Sequence, residues 1–272
     1  MNSSFKPDDS FKPNAPFKLD YSKLKTYSIK ERHSKVNIKD FSSPFKKGSS
    51  FASFLDTLPS ILAGNNLRSV IKAITQAAQK KNQVCLAMGG HVIKTGMSPV
   101  IIDLMNKNIF TMLSMNGSGI IHDLETAMVG KTSEDVAQSI GSGSFGMAQE
   151  TSDFLNQAIK NAKQQSLGLG KAVGEMILQE NLDFKDLSLT ASGAALDIPV
   201  TVHVAIGTDI IHMHPDFDAA ACGAASYHDF KIFASQIGML EKGVFINAGS
   251  AVIMPEVFLK ALTLSRNLGA IL

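Results

Sequence analysis

Tryptophan is absent from the 272 residues, tyrosine occurs three times and cysteine twice. Two cysteines cannot build a disulfide framework, and Cys85, inside the apolar run QVCLAM, reads as a small buried hydrophobe. No stretch approaches the roughly 18 uninterrupted apolar residues of a membrane-spanning helix, and the start MNSSFKPDDS has no apolar signal segment. Neither sign of charge dominates, because the formal net charge is only +2. Residues 1–50 hold 11 of the 26 Lys and Arg but 5 of the 24 Asp and Glu, so the remaining body is mildly acidic. A duplex-binding protein concentrates basic residues on its folded body instead. Neither nucleic acid nor membrane is therefore expected as a partner, and the expected location is cytoplasmic.

What is present suits a sizeable core, with 44% of residues hydrophobic. Residues 1–45 stand apart. Phe-Lys recurs at 5, 11 and 17 with Pro and Asp between, a basic stretch without amphipathic period that is expected to form an extended or disordered arm. Residues 46–272 form the expected globular domain. Helical spacing begins at Phe51, and then short apolar runs alternate with helices. The runs QVCLAM (83–88), FTMLSM (110–115), IPVTVHVAI (198–206) and GVFINAG (243–249) predict strands. They are nearly continuous in apolar residues, as strands covered on both faces are. Strand–helix–strand order predicts an α/β fold, a Rossmann-like doubly wound parallel sheet with helices on both faces. Thr132–Asp135 reads as a capped helix start, Ser226 with Asp229 as a capping box, and the glycines of GSGSFG and SLGLGKAVG as loops or close packing.

In such a sheet ligands lie beyond the carboxyl ends of the strands. Four turns are expected there: GGHVIKTG (89–96), NGSGIIHD (116–123), GTDIIHMHP (207–215) and NAGSAVIMP (247–255). Their glycines admit backbone N–H groups to a phosphate, and helix N-termini add positive partial charge, so the four together predict a nucleotide-type crevice. Six of the seven histidines fall in or near these turns. His122 and Asp123 are candidates for acid–base or ligand-contacting roles, and Lys94 for a phosphate contact. His212 and His214, with Asp209, Asp216 and Asp218 nearby, also permit a metal site.

At these turns the sequence resembles the deoxyhypusine synthase family. KTGMSPVIIDLMNKNIFTMLSMNGSGIIHDL, IPVTVHVAIGTDIIHMH and KGVFINAGSAVIMPEVFLKALTLSRNLG follow one another in that family's order. The resemblance implies a homotetramer, NAD as cofactor held between subunits, and aminobutyl transfer from spermidine to an amine acceptor. Matched by position, the NAD cradle would be Lys94, Thr95, Gly96, Asn116, Gly117, Asp209, Asn247, Ala248, Gly249 and Ser250. His122, Asp123 and Asp209 would be catalytic, and Asp123, His212, His214 and Asp216 would contact a small amine or polyamine. The family's paired histidines after the last glycine turn are missing from AVIMPEV, and no lysine before Leu272 matches its imine-forming lysine. The leading expectation is an NAD-dependent transferase of this type. The alternatives are a non-catalytic nucleotide-binding or regulatory protein on the same fold and a metal-dependent hydrolase using the histidines.

Overall fold

The computed structural model describes residues 19–272. The Phe-Lys copies at 5, 11 and 17 lie outside them. The chain divides between Asn65 and Asn66. Before that boundary come two single 3-10 turns, Tyr21–Lys23 and Ile38–Asp40, and helix α1 (Phe51–Thr57), where Phe54 contacts Phe45 and Phe51 with ring centroids 5.8 and 5.9 Å apart. Ser50 caps α1 by accepting from Ser53 N at 3.2 Å. Helix α2 (Leu62–Gln79) carries the chain into the second unit.

There the chain runs β1 (Val84–Met88), α3 (Gly90–Lys94), α4 (Ser98–Asn106), β2 (Met112–Asn116), α5 (Gly117–Val129), α6 (Val136–Ser139), α7 (Gln149–Gln165), α8 (Leu169–Gln179) and α9 (Leu189–Leu196). It ends with β3 (Val200–His203), α10 (Ala219–Gly238), β4 (Val244–Ala248) and α11 (Ile253–Asn267). All four expected strands form, each within or one residue beyond its apolar run. They pair in the order β3-β2-β1-β4, all parallel, with Leu86 opposite both Leu113 and Ile246. The fold is a Rossmann-like α/β sheet with helices on both faces. No helix among the described residues is long and apolar enough to cross a membrane.

Strand alternation sends side chains to two separate cores. Val84, Leu86, Met88, Leu113, Met115, Val200 and Val202 pack with residues of α4, α5 and α7–α9, whereas Cys85, Ala87 and Met112 pack with α10 and α11 around Phe233, Ile237, Met254 and Ala261. The α8 glycines serve close packing. A β-carbon on Gly170 would collide with the Val200 carbonyl, and one on Gly174 with the Thr190 carbonyl. Gly170→Ala is therefore expected to cost about 1–3 kcal/mol in a urea melt, the usual scale of overpacking.

Two capping expectations meet different outcomes. Asp135 does cap α6, accepting from Ala137 N at 3.0 Å. Ser226 and Asp229 form no capping box, because both lie inside α10, whose cap is Asp218. They instead cover the open edge of β3: Val202 N donates to Asp229 Oδ2 at 2.9 Å and Val204 N to Ser226 Oγ at 3.0 Å. An uncovered strand edge is a template for unwanted pairing, so these side chains complete the sheet.

Candidate functional site

The four turns do not converge as expected. The order β3-β2-β1-β4 places the reversal of strand order between β1 and β4, where a crevice would open. It is closed. Gly89 N donates to Ala248 O at 3.0 Å, and a β-carbon on Gly89 would collide with the Gly249 carbonyl. Asn247 Nδ2 donates to Ser250 O at 2.8 Å, and Ser250 Oγ accepts from Met254 N at 3.2 Å. Asn247, Ala248, Gly249 and Ser250 thus bond to one another, to β1 and to α11, and none of them lines the cavity that the other turns share.

The other three turns do share a cavity, of about 330 Å³. It opens beside the first turns of α5, between α3, the segment 133–148 and the turn after β3. Lys94, Ser118, His122 and Asp209 face it from the expected turns. Glu125, Ser133, Glu134 and Thr208 complete its polar wall, and Ile121, Val136, Phe145, Ala148 and Ile210 its apolar wall. α5 starts at Gly117, directly after β2, capped by Asn116, whose Oδ1 accepts from Gly119 N at 3.1 Å and from Ser118 Oγ at 2.9 Å. Ser118, His122 and Glu125 then follow at i, i+4 and i+7 and share one face. A β-carbon on Gly90 would lie 2.8 Å from both Ser118 Oγ and His122 Cδ2, so only glycine leaves those side chains their places.

His122 Nδ1 lies 2.7 Å from Thr132 Oγ1, and Thr132 Oγ1 donates to Glu125 Oε2 at 2.5 Å. Thr151 Oγ1 donates to the other oxygen, Oε1, at 3.3 Å. Burial opposes ionisation of Glu125, but the His122 and Thr132 contacts outweigh it and hold the carboxyl below its ordinary pKa. Asp209 behaves oppositely. Burial pushes its pKa up to about 6, against a hydrogen bond from Thr208, and its Oδ2 is buried without a partner. That oxygen sits where a β-carbon of Gly117 would be, directly over the start of α5. Glu134 Oε2 accepts from Gly146 N at 2.8 Å and so ties the cavity's outer loop.

Several expected site residues lie elsewhere. Asp123 faces the core on the opposite side of α5 from the cavity and caps α9, accepting from Leu189 N, Thr190 N and the Ser188 and Thr190 hydroxyls. It is fully buried and has no free face for a substrate. Thr95 and Gly96 lie past the end of the short helix α3 rather than at the strand end, and the Thr95 hydroxyl donates to the carbonyls of His91 and Val92. His212 and His214 do not pair. His212 Nδ1 accepts from Gly207 N and Asp209 N at 3.0 and 3.1 Å, while His214 Nε2 lies 2.9 Å from Gly146 O. Asp216 is exposed and does not line the cavity. His203 lies under α10, against Phe233 and Thr201, where burial lowers its pKa to about 4. Among the described residues no three His, Cys, Asp or Glu side chains are grouped to hold a metal ion.

The residues missed by sequence reading are Glu125, Thr132, Ser133, Glu134, Phe145 and Thr208. Glu125 had a local signal, its spacing of three from His122 on one helix, and Thr208 stands beside Asp209 within the turn 207–215.

A dinucleotide does not suit this cavity. Asn116 already caps α5, the Asp209 carboxyl covers the same helix start, and three carboxyl groups face one lysine. A pyrophosphate there would meet negative charge. An organic cation would meet acceptors.

No family model matches the chain, and no curated protein matches it. Among solved structures the chain is similar to an arginine dihydrolase of the ornithine-ammonia cycle in cyanobacteria, at 15% identity and TM-score 0.45, over 72% of this chain and 26% of that one. It thus spans about a quarter of that protein's length. It is also similar to a conserved candidate LOR/SDH protein from Methanococcus maripaludis S2, at 12% identity and TM-score 0.40, over 90% of this chain and 76% of the other. A candidate deoxyhypusine synthase from Entamoeba histolytica is similar at 12% identity and TM-score 0.45, over 82% and 97% of the two chains. The likeness is one of fold.

Proposed function

We propose that the chain binds a small amine or polyamine in this cavity and takes a proton from it at His122. The observation that carries this reading is the meeting of Glu125, Glu134, Asp209 and His122, three carboxyl groups and an imidazole against the single cation Lys94, on one cavity that also has an apolar wall. An ammonium group offers three donors and needs acceptors, and a hydrogen bond to a charged partner contributes about 1.5–3 kcal/mol. Ile121, Val136, Phe145 and Ile210 suit the methylene chain between amine groups. Loss of a proton to imidazole turns an ammonium into a nucleophilic amine, the form required for attack on an electrophile. The chemistry thus belongs to transfer of a group to or from an amine. Aminobutyl transfer from spermidine is the member of that class which the sequence resemblance favours; no step is assigned to NAD. The nucleotide-binding alternative is less well supported, because the α5 N-terminus is already covered by Asn116 and Asp209.

Calorimetric titration of the full chain with putrescine, spermidine, acetate and NAD tests the reading. Putrescine or spermidine is expected to bind with about −5 to −8 kcal/mol, and acetate not at all. Asp209 carries a pKa raised to about 6 and must be ionised to pair with an amine, so affinity is expected to fall as pH drops through about 6. Asp209→Asn should remove that pH step and weaken binding about tenfold at pH 7.5, about 1.4 kcal/mol. NAD or acetate binding without any amine binding would sink the proposal.

A further inference from the structure

Hydrogen-bond directions around Thr132 specify more than a contact. Its hydroxyl has one proton, and Glu125 Oε2, 2.5 Å away and belonging to an ionised carboxylate, can only accept it. Thr132 Oγ1 therefore faces His122 Nδ1 at 2.7 Å with a lone pair, and that contact requires the proton on Nδ1. With Nδ1 protonated, a neutral imidazole keeps its lone pair on Nε2, and among the described residues no partner engages that atom.

Three elements hold the arrangement. His122 and Glu125 stand one turn apart on α5. Thr132 follows Gly130, the left-handed C-cap of that helix at φ 65°, which turns the chain back over the helix face. Thr151, buried on α7, fixes the second Glu125 oxygen from the other side.

We propose that Glu125 and Thr132 are positioning residues that lock His122 in its Nδ1–H tautomer, so that Nε2 is the atom that accepts the substrate's proton. This deepens the amine reading and rests on it for the identity of the proton donor. The step balances. The N–H bond of the bound ammonium breaks and its electron pair stays on nitrogen. The proton forms a bond to Nε2, and the imidazolium is then stabilised by Glu125 through the Thr132 hydroxyl. No oxidant or second reactant enters this step. Which ring nitrogen carries a proton is set by the partner of the other, and loss of a fixing carboxylate beyond the imidazole can leave the ring in the wrong tautomer.

Two-bond ¹H–¹⁵N correlation spectra of the uniformly labelled full chain report the tautomer of each neutral histidine. His122 is assigned by the signals lost in His122→Gln. In the unmodified chain the ring is expected to show the Nδ1–H pattern. Thr132→Val should shift it toward Nε2–H, and Thr132→Ser should restore Nδ1–H. An Nε2–H ring in the unmodified chain would overturn the proposal, whatever the variants do. So would an unchanged ring in a folded Thr132→Val protein. The spectra are recorded without ligand, so their outcome is separate from the amine titration. An Nδ1–H ring with no amine binding would keep the relay and remove the amine, while amine binding with an Nε2–H ring would do the reverse.

Discussion

Asp123→Ala is expected to lower the unfolding free energy by about 3–5 kcal/mol, the upper range for a single substitution. The carboxylate is fully buried and accepts from four donors: Leu189 N at 2.7 Å, Thr190 N at 3.0 Å, Thr190 Oγ1 at 2.7 Å and Ser188 Oγ at 2.8 Å. Two of these are first-turn N–H groups of α9, which have no partner within their own helix. Each donor left unsatisfied in the core costs about 1–3 kcal/mol, and the hydroxyls can recover part of that by rotating toward each other or toward backbone carbonyls. Asp123→Asn keeps the shape but brings donors to face donors, so it should recover less than half of the loss. Urea unfolding with an unchanged slope measures the effect, and amide exchange should quicken first at Leu189 and Thr190. A loss below about 1 kcal/mol in Asp123→Ala would mean that α9 is held by its apolar contacts and not by this carboxylate.

Asp229 should give the chain a second large and pH-dependent contribution. Burial pushes its pKa up to about 7, against the lowering effect of the backbone N–H groups of Val202, Gly170 and Leu169. Oδ2 accepts from Val202 N and Gly170 N at 2.9 and 3.0 Å, and Oδ1 is buried without a partner. The folded chain therefore holds a proton that the unfolded chain, with an ordinary carboxyl near 3.8, has already released. A group that binds protons more tightly when folded stabilises at low pH, and that contribution is lost as pH rises through the folded-state pKa. Between pH 4 and pH 8 the loss should reach about 4 kcal/mol, since each tenfold gain in proton affinity on folding corresponds to about 1.4 kcal/mol. Asp229→Asn carries no such proton, so the stability difference between it and the unmodified chain should move by that amount across the window, in favour of the asparagine at high pH. Measuring the difference between the two proteins cancels the parallel titration of His203 and Glu125. A difference that stays constant from pH 4 to pH 8 would show that Asp229 ionises freely, with water reaching its buried oxygen.

These two aspartates show where local sequence reading reaches its limit. Asp123 stands beside His122 in a turn of the right kind, and from the sequence the pair shares one chemical role. On a helix, however, adjacent residues point about 100° apart. His122 faces the cavity and Asp123 the core, where Ser188 and Thr190 arrive from 65 residues or more further along. Ser226 and Asp229 have the spacing of a capping box, but that spacing also places both on one side of a helix interior, and the open edge of β3 decides their use.

Apolar patterning by itself determined the four strands, their parallel pairing through intervening helices and the two-sided covering of the sheet. Lys94, His122 and Asp209 were also legible, because the parallel fold puts strand-end turns on one rim whatever the rest of the chain does. Only the tertiary structure decided that the Gly89 and Gly249 turns close against each other, that the cavity lies over α5, that Glu125 and Glu134 complete it, and that Thr132 reaches His122 and Glu125. The physical reason is that burial of apolar surface is non-directional and is written into local periodicity, whereas a hydrogen bond needs a particular donor at a particular distance. Thr132 and Glu134 acquire their partners only when their loop folds back over α5, and Asp209 reaches Gly117 only once β3 has paired with β2.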